Sequence, residues 1–338
     1  TEVLARSEIV RNKTVTTLDV PMMNVALSGS LDGGLPSGLT VLAGPSKHFK
    51  TSFALKMAAA YLDSDPEAVM LFYDSEFGSP QSYFTNFGID TNRVLHTPIT
   101  NVEELKIDIM AQFNGLAAED KVIIVIDSIG NLASLKEVND ALEGKTVADM
   151  SRAKALKGLF RMLTPHLSLK NFPLIAINHT YKEIGLYPKD VVGGGTGIYY
   201  SADTIWILGR RQNKTGTEVT GYDFVINVEK SRFVKEKSQI PITVSWEGGI
   251  ERYSGLLDLA LAGGFVTKPS NGWYQLVNRE TGEEIGNKVR AKETLNGEFW
   301  SDLLNDSEFK TFAEKTYSID KEAEVTLQFA LEGEKADA

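Results

Sequence analysis

The chain alternates between short apolar runs and segments in which apolar residues recur with helical spacing. Each apolar run has the length of a buried strand and ends at turn residues, so each predicts a strand. The predicted strands are 39–44, 68–74, 121–127, 172–178, 203–209, 222–230 and 240–246. Strands that alternate with helices are typical of a mostly parallel sheet with helices on its faces. The pattern therefore predicts an α/β fold.

The helical segments are amphipathic. In one of them, apolar side chains repeat at intervals of three and four residues, as expected of a helix with one buried face. These side chains are Val102, Leu105, Ile109 and Phe113. A longer helical pattern covers 147–169, and another follows the first strand from Lys50 onward.

The character of the chain changes near its end. From Gly255 onward, short helices surround a polar, hairpin-like stretch at 271–286, which predicts a small C-terminal α+β subdomain. We predict four parts in all. They are an N-terminal segment 1–24, a core 25–254, the subdomain 255–317 and an acidic tail 318–338. The acidic tail is typical of a solvated segment.

Composition excludes several classes of protein. The 338 residues include no cysteine, so disulfides and thiolate zinc sites are excluded. No apolar run reaches the roughly 18 residues of a membrane span, and the first residues do not resemble a signal peptide. The first residue is Thr1, which leaves open that an N-terminal assembly element is truncated. A formal charge of −10 argues against general attraction to nucleic acid but permits a local basic groove.

Residues 43–52, AGPSKHFKTS, match a phosphate-binding loop incompletely. Gly44, Lys50 and Thr51 fit the pattern G-x-x-x-x-G-K-[ST], but Phe49 stands where the second glycine belongs. A strand precedes the segment and a helix follows it, which is the context of such loops. Two interpretations remain. Either this is a phosphate site in which Phe49 bears backbone strain or the loop takes a related path, or it is a surface turn with a solvated Lys50.

Carboxylates follow two other predicted strands. Asp127 ends the strand KVIIVID, where P-loop proteins place an acid that helps to bind Mg²⁺. Glu76, with Asp74 and Ser75, ends an earlier strand, where a carboxylate can orient water against a terminal phosphate. Strand-end aspartates are common, and the cluster at 74–76 also suits a helix N-cap. Together with the loop, however, these carboxylates indicate an ATPase.

The order of motifs resembles the RecA-type recombinases, and in particular their phage members. The resemblance covers the chain from Pro21 to the C-terminal subdomain and implies a RecA-like P-loop ATPase core. The segments that carry it are PMMNVALSG, GPSKHFKTS, LFYDSEFG, VIDSIGNLAS, INHTY, GGGTGIYYSAD and NVEKSR. In that phage group the loop is itself non-standard at the position of Phe49, so the resemblance favours a true phosphate site.

The resemblance implies ATP and Mg²⁺ as cofactors. Lys50 is expected to reach the terminal phosphates, Glu76 to activate the attacking water, and Thr51 and Asp127 to bind Mg²⁺, partly through water. The loop residues expected to wrap the triphosphate are Gly44, Pro45, Ser46, Lys47, His48, Phe49, Lys50, Thr51 and Ser52.

Two further residues of the expected site have plain structural alternatives. The resemblance implies that Tyr83 stacks on adenine, although a tyrosine in a short helix can equally face the core. His179 stands where RecA has a glutamine that senses the γ-phosphate. An imidazole also donates hydrogen bonds to phosphate oxygens, but a strand-end histidine can equally be hydrogen-bonded for structural reasons alone.

The resemblance also implies two DNA-binding segments. One is the glycine-rich stretch Gly193, Gly194, Gly195, Thr196 and Gly197, whose backbone N–H groups can bind phosphates without sequence preference. The other is 137–154, with Lys145, Arg152 and Lys154. As a charge pattern alone, the second segment is also consistent with a solvated helix face.

A basic pair, Lys230 and Arg232, lies near the end of a predicted strand. The resemblance implies that this pair reaches the ATP of a neighbouring subunit and adds catalytic charge in trans. The plain alternative is an ordinary basic strand end.

The implied function is that of an ATP-dependent recombinase with ATP hydrolysis stimulated by single-stranded DNA. The implied partners are single-stranded DNA, homologous double-stranded DNA, further copies in a helical filament, a phage single-strand-binding protein and a recombination mediator, with no membrane. The implied location is the cytoplasm of the infected bacterial host. Two alternatives share the fold: a ring helicase, and a DNA-binding filament protein with little hydrolysis.

Overall fold

A computed structural model describes residues 3, 15–145, 151–183, 190–215, 218–246 and 249–319. Most of the predicted N-terminal segment, residues 147–150 of the predicted long helix and 320–338 of the predicted tail lie outside these ranges. The chain divides into two compact units, 1–18 with 35–209 and 19–34 with 210–338. Within the described ranges, no helix has the length and apolar composition needed to cross a bilayer.

The secondary structure alternates as the hydrophobic pattern predicts. The helices are α1 (Pro21–Ser28), α2 (Lys50–Ser64), α3 (Gln81–Asn86), α4 (Val102–Gly115), α5 (Leu135–Leu142), α6 (Ser151–Lys170), α7 (Thr196–Ser201), α8 (Leu256–Ala262), α9 (Gly297–Asn305) and α10 (Ser307–Tyr317). The strands are β1 (Val15–Thr16), β2 (Leu35–Pro36), β3 (Gly38–Gly44), β4 (Val69–Asp74), β5 (Val94–Pro98), β6 (Val122–Asp127), β7 (Pro173–Lys182), β8 (Asp190–Val192), β9 (Thr204–Thr215), β10 (Glu218–Ser231), β11 (Gln239–Ser245), β12 (Gly249–Ile250), β13 (Val266–Ser270), β14 (Trp273–Val277) and β15 (Glu284–Arg290).

The first unit is built on a parallel sheet with the strand order β9-β3-β7-β6-β4-β5. β8 pairs antiparallel with the far end of β7. β3 and β6 are buried along their whole length, because helices cover both faces of the sheet. α4 and α6 pack into one apolar cluster with alternate strand residues such as Val41 and Ile124. α2 buries Phe53 and Leu55 and contacts β3, β6 and β7.

The second unit contains antiparallel strands and short helices. β10 pairs with β11 and β11 pairs with β12, all antiparallel, and α1 contacts β10 and β11. Further along the chain, β13, β14 and β15 form a small antiparallel sheet, accompanied by α8, α9 and α10. The hairpin expected at 271–286 is therefore present as β14 and β15. The predicted fold class, a mostly parallel α/β sheet with a small C-terminal α+β part, is confirmed.

Candidate nucleotide-binding site

The loops that follow four parallel strands meet at one edge of the first unit. Gly44 at the end of β3 lies in register with His179 on β7, and Asp74 at the end of β4 lies in register with Asp127 on β6. Open parallel sheets bind ligands at the carboxyl ends of their strands, which is where these residues lie. A cavity of about 430 Å³ opens there. Of the predicted site residues, it is lined by Ser46, Lys47, His48, Phe49, Lys50, Thr51, Glu76, Tyr83, Asp127 and His179.

The unusual loop keeps the backbone path that its missing glycine would favour. Phe49 has φ 55° and ψ 24°, in the left-handed region, and its carbonyl accepts the first helical hydrogen bond, from the Phe53 N–H. Lys47 also has a positive φ, of 60°. A non-glycine residue in this region costs roughly 1–2 kcal/mol. Of the two paths expected for a phosphate site, the one in which Phe49 bears the strain is therefore the one observed.

Lys50 lies inside the loop and opens α2. Its Nζ donates to the carbonyl oxygens of Gly44 at 3.2 Å and Pro45 at 2.9 Å. Burial lowers the pKa of Lys50, and the carboxylates of Glu76 and Asp127 offset part of that shift. The loop thus holds a buried cation that faces two carboxylates and donates to backbone carbonyl oxygens.

Thr51 and Asp127 form a bonded pair at the floor of the cavity. Thr51 Oγ1 donates to Asp127 Oδ2 at 2.7 Å, while Asp127 Oδ1 is buried without a hydrogen-bond partner among the described residues. An orphaned carboxylate oxygen beside a hydroxyl fits Mg²⁺, which takes oxygen ligands and keeps several waters. No cluster of three or more acidic or histidine ligands occurs in the described part of the chain. The pair therefore suits an ion held mainly by water and phosphate.

Asp127 is expected to make the ligand-free protein pH-sensitive. Burial, with smaller effects of Glu76 and Asp74, raises its pKa from 3.8 to about 6. Because the folded state favours the neutral form, the stability that this form contributes is complete below about pH 4 and is lost as the pH rises through 6. Asp127→Asn cannot ionise, so its stability relative to wild type should increase by roughly 1.5 kcal/mol between pH 5 and pH 8. Denaturant unfolding of both proteins without nucleotide or Mg²⁺ measures the difference, and a difference independent of pH would contradict it.

Asp74 shapes the turn that presents Glu76. Its Oδ1 accepts from the backbone N–H groups of Glu76 at 3.0 Å and Phe77 at 2.8 Å, and its Oδ2 lies 3.2 Å from Nε2 of His96. Asp74 thus caps a turn rather than a helix, because α3 begins later, after Pro80.

The Glu76 side chain is held from two sides. Its Oε1 accepts from Ser128 Oγ at 2.8 Å and lies 3.3 Å from His179 Nε2. Ser128 is fixed in turn by Ser75, whose Oγ donates to the Ser128 carbonyl at 2.7 Å and accepts from its N–H at 3.0 Å. About a third of the Glu76 side chain, 36%, is exposed toward the cavity. Sequence reasoning missed Ser128, although it directly follows Asp127 at a buried strand end.

Tyr83 lies on α3 at the cavity wall. Its hydroxyl is hydrogen-bonded to Ser52 Oγ, and its ring packs edge-on against Phe87. Burial raises the pKa of its hydroxyl. The hydroxyl is thereby fixed against α2, while the residue still lines the cavity.

The first glycine of the glycine-rich stretch is hydrogen-bonded to β7. The Gly193 N–H donates to the His179 carbonyl at 3.0 Å, and Asn178 Nδ2 donates to the Gly193 carbonyl at 2.7 Å. Gly194 and Gly195 have φ values of 88° and 79°, which other residues rarely adopt. Thr196 and Gly197, expected to belong to the same loop, already form the first turn of α7.

The three basic residues of the second predicted DNA segment differ in their exposure and in their bonding partners. Lys145 Nζ lies 2.5 Å from a Glu143 carboxylate oxygen, so its charge is paired. The Arg152 guanidinium is bonded to backbone carbonyls. Lys154 is exposed, and among the described residues its side chain has no hydrogen bond or ion pair. Residues 146–150 of this segment lie outside the described residues.

The predicted basic pair belongs to the second unit. Lys230 is half-buried near the end of β10, and Arg232 is exposed in the bend that follows. Between them, Ser231 Oγ accepts from the N–H groups of Phe233 and Val234, both at 3.0 Å. This capped turn fixes the backbone that carries the pair.

The strand order and the loop after β3 class the first unit with the P-loop nucleotide-binding α/β proteins. Residues 5–251 match the family model of the RecA N-terminal domain. Residues 253–312 match the model of the C-terminal domain of the bacteriophage T4 recombination and repair protein. The chain therefore belongs to the RecA family.

Curated relatives agree with this assignment. The chain is 50% identical to the recombination and repair protein of Enterobacteria phage T4 over 320 residues, which cover 94% of this chain and 82% of that protein. Protein RecA of Mycolicibacterium gilvum is 26% identical over 85% of this chain and 86% of its own length, and that of Chloroherpeton thalassium is 28% identical over 86% and 82%. The predicted resemblance is confirmed. It supports a recombinase function with the family's general properties of nucleotide binding, DNA binding and filament formation.

Proposed function

We propose that this protein is an ATP-dependent recombinase that forms helical filaments on single-stranded DNA, pairs it with homologous double-stranded DNA and exchanges strands. The observation that carries the proposal is the Glu76 carboxylate, held in one cavity with Lys50 and Asp127, in a chain of the RecA family. The protein would act in the cytoplasm of an infected bacterium, together with a phage single-strand-binding protein and a recombination mediator.

ATP would bind along the loop from Gly44 to Ser52. The loop's N–H groups and the start of α2 present partial positive charge, which suits the phosphates. Lys50 would exchange its contacts with the Gly44 and Pro45 carbonyls for the terminal phosphates, a favourable exchange because phosphate oxygens carry negative charge whereas carbonyl oxygens are neutral. Tyr83 would stack on the adenine from the cavity wall.

Thr51 and Asp127 would hold Mg²⁺, partly through its waters. When bound, the ion neutralises charge on the phosphate oxygens. The unsatisfied Oδ1 of Asp127 supports this assignment, because a buried carboxylate oxygen without a partner is costly unless a ligand satisfies it.

Glu76 would orient and deprotonate the attacking water. Ser128 and His179 hold one oxygen of its carboxylate, which fixes the direction of the other. His179 would also contact the γ-phosphate and, through its backbone bond to Gly193, link nucleotide state to the DNA-binding stretch 193–197. Binding of DNA at this stretch and at 137–154 would thereby affect ATP hydrolysis.

The test is ATP hydrolysis with and without single-stranded DNA at two salt concentrations, followed by strand exchange with homologous and heterologous duplexes. We expect stimulation by DNA that weakens with salt, because phosphate contacts release counterions, and exchange only with the homologous duplex. Directional unwinding of forks by closed hexamers would indicate a helicase instead. ATP binding without hydrolysis would indicate a noncatalytic filament.

Lys230→Ala is expected to lower kcat by about 100-fold or more, because a cation that stabilises the transferring phosphoryl group is lost. ATP binding should persist, since Lys230 belongs to the site of a neighbouring subunit in this proposal. Lys237→Ala is a matched control on the same unit, because Lys237 is ion-paired with Glu229 at 2.6 Å. Steady-state hydrolysis and nucleotide titration measure both variants, and normal turnover in Lys230→Ala would remove the trans assignment.

A further inference from the structure

We propose that Arg152 is a positioning residue for the Glu76 carboxylate: it clamps the loop 128–132 behind the nucleotide site. The inference rests on the proposed function. It also differs from the expectation that Arg152 contacts DNA phosphate directly, because its guanidinium is directed at the protein backbone.

The clamp consists of three hydrogen bonds. Arg152 Nε donates to the Leu132 carbonyl at 2.6 Å, and Nη2 donates to the carbonyls of Ile129 and Gly130, both at 2.9 Å. Arg152 is the second residue of α6, so it joins the start of this helix to the loop that follows β6. Carbonyls at the end of a buried strand need donors, and a planar guanidinium can satisfy several at once.

The clamped loop supports both groups that hold Glu76. Ser128, which donates to Glu76 Oε1 at 2.8 Å, directly precedes Ile129. The N–H of Ile129 donates to the Ile177 carbonyl at 2.9 Å, which ties the loop to β7 close to His179. A Cβ placed on Gly130 would lie only 2.4 Å from Cδ2 of His179, so the loop backbone lies directly against the imidazole. A shift of this loop would therefore move both contacts of the carboxylate.

The chain provides a matched control. Arg93 makes the same type of clamp: Nε donates to the Ala68 carbonyl at 2.8 Å, and Nη2 donates to the carbonyls of Leu62 at 2.9 Å and Asp65 at 2.5 Å. Ala68 precedes β4, whereas Glu76 follows it, so this clamp lies at the opposite end of that strand from the nucleotide site. Arg93→Ala therefore removes a clamp of equal size without touching the nucleotide site.

The experiment compares wild type, Arg152→Ala, Arg152→Lys and Arg93→Ala in the full chain. We would measure kcat and KM for ATP at saturating single-stranded DNA, where a lost DNA contact no longer limits turnover. The salt dependence of DNA affinity would be measured beside it, since a lost phosphate contact on single strands lowers the slope by about 0.7. Hydrogen exchange of the peptide covering 128–133 reports on the clamp without any need for activity.

For Arg152→Ala we expect kcat to fall about tenfold or more with a KM for ATP within about twofold, because a small displacement of a catalytic group is costly. The salt slope should not change, and exchange at 128–133 should increase. Arg152→Lys should not restore kcat, since an ammonium lacks the planar fork of donors with which the guanidinium bonds these carbonyls. Arg93→Ala should keep kcat within about twofold of wild type and raise exchange at 62–68 instead.

Other outcomes would overturn the inference. A flatter salt slope with normal kcat in Arg152→Ala, restored by Arg152→Lys, would make Arg152 a DNA contact. An equal loss of kcat in Arg93→Ala would make the effect one of general stability. Unchanged hydrogen exchange at 128–133 in Arg152→Ala would show that Arg152 does not hold this loop in place. If wild type hydrolyses no ATP with or without DNA, the proposed function fails, and the exchange comparison still decides whether the clamp exists.

Discussion

Glu76→Gln is expected to lower kcat for ATP hydrolysis by about 10²- to 10⁴-fold, the usual contribution of a general base. Glutamine keeps an oxygen that can accept from Ser128 Oγ, so the turn and the cavity should stay intact. It cannot take a proton from water, however, so the chemical step is lost while ATP still binds. Single-turnover hydrolysis measures the loss, and the increase in melting temperature on adding ATP and Mg²⁺ measures binding.

Glu104→Gln is a suitable control for that loss. Glu104 is an exposed carboxylate of the same unit, and its Oε2 accepts from the N–H of Thr100 at 2.8 Å, so the variant removes the same charge away from the cavity. Its kcat should match that of wild type. Full hydrolysis by Glu76→Gln, still stimulated by DNA, would mean that another group activates the water and would leave Glu76 a structural role only.

The central strands were predictable because they are buried on both faces. The runs at 39–44 and 121–127 predict strands, and β3 and β6 occupy these positions with every residue buried. β5 was missed for the opposite reason. It lies at the edge of the sheet, and most of its side chains are exposed, including Leu95 at 55%. An edge strand of this kind has no continuous apolar signal.

The predicted nucleotide-site residues divide in a similar way. Glu76, Asp127 and His179 each lie at or just after the end of a strand predicted from the sequence, and parallel topology alone brings such strand ends together. Ser128 and Gly130 were not predictable, because their contacts depend on how the loop after β6 folds back on β7. Local sequence does not contain that information.

Phe49 illustrates a departure from a motif that preserves its geometry. The phosphate-loop pattern has a glycine at this position, and this chain has Phe49 instead. Phe49 nevertheless adopts a positive φ of 55°, the left-handed backbone conformation that a glycine would adopt without strain. Strain at a ligand-binding loop is sustained by the surrounding structure, here by the buried strand before the loop and the helix after it. The conformation rather than the residue type is therefore what the loop requires.

Lys50→Met is expected to weaken ATP binding by about 10- to 100-fold, since a hydrogen bond to a charged group contributes roughly 1.5–3 kcal/mol. Methionine fills a similar buried volume but removes the cation, so the ligand-free loop loses only two bonds to backbone carbonyls. The melting temperature without ligand should change little, whereas the increase on adding ATP should largely disappear, because stabilisation by a ligand follows its affinity.

Lys56→Ala on the same helix is a control for the loss of a lysine from α2, and its ATP-dependent increase in melting temperature should equal that of wild type. The comparison also separates the two interpretations of the loop. If Lys50→Met keeps the full increase, Lys50 does not contact phosphate, and its role is limited to bonding the Gly44 and Pro45 carbonyls of a strained turn. If the increase is lost in this variant alone, the buried cation is a phosphate ligand, and the burial that lowers its pKa is the cost of placing it there.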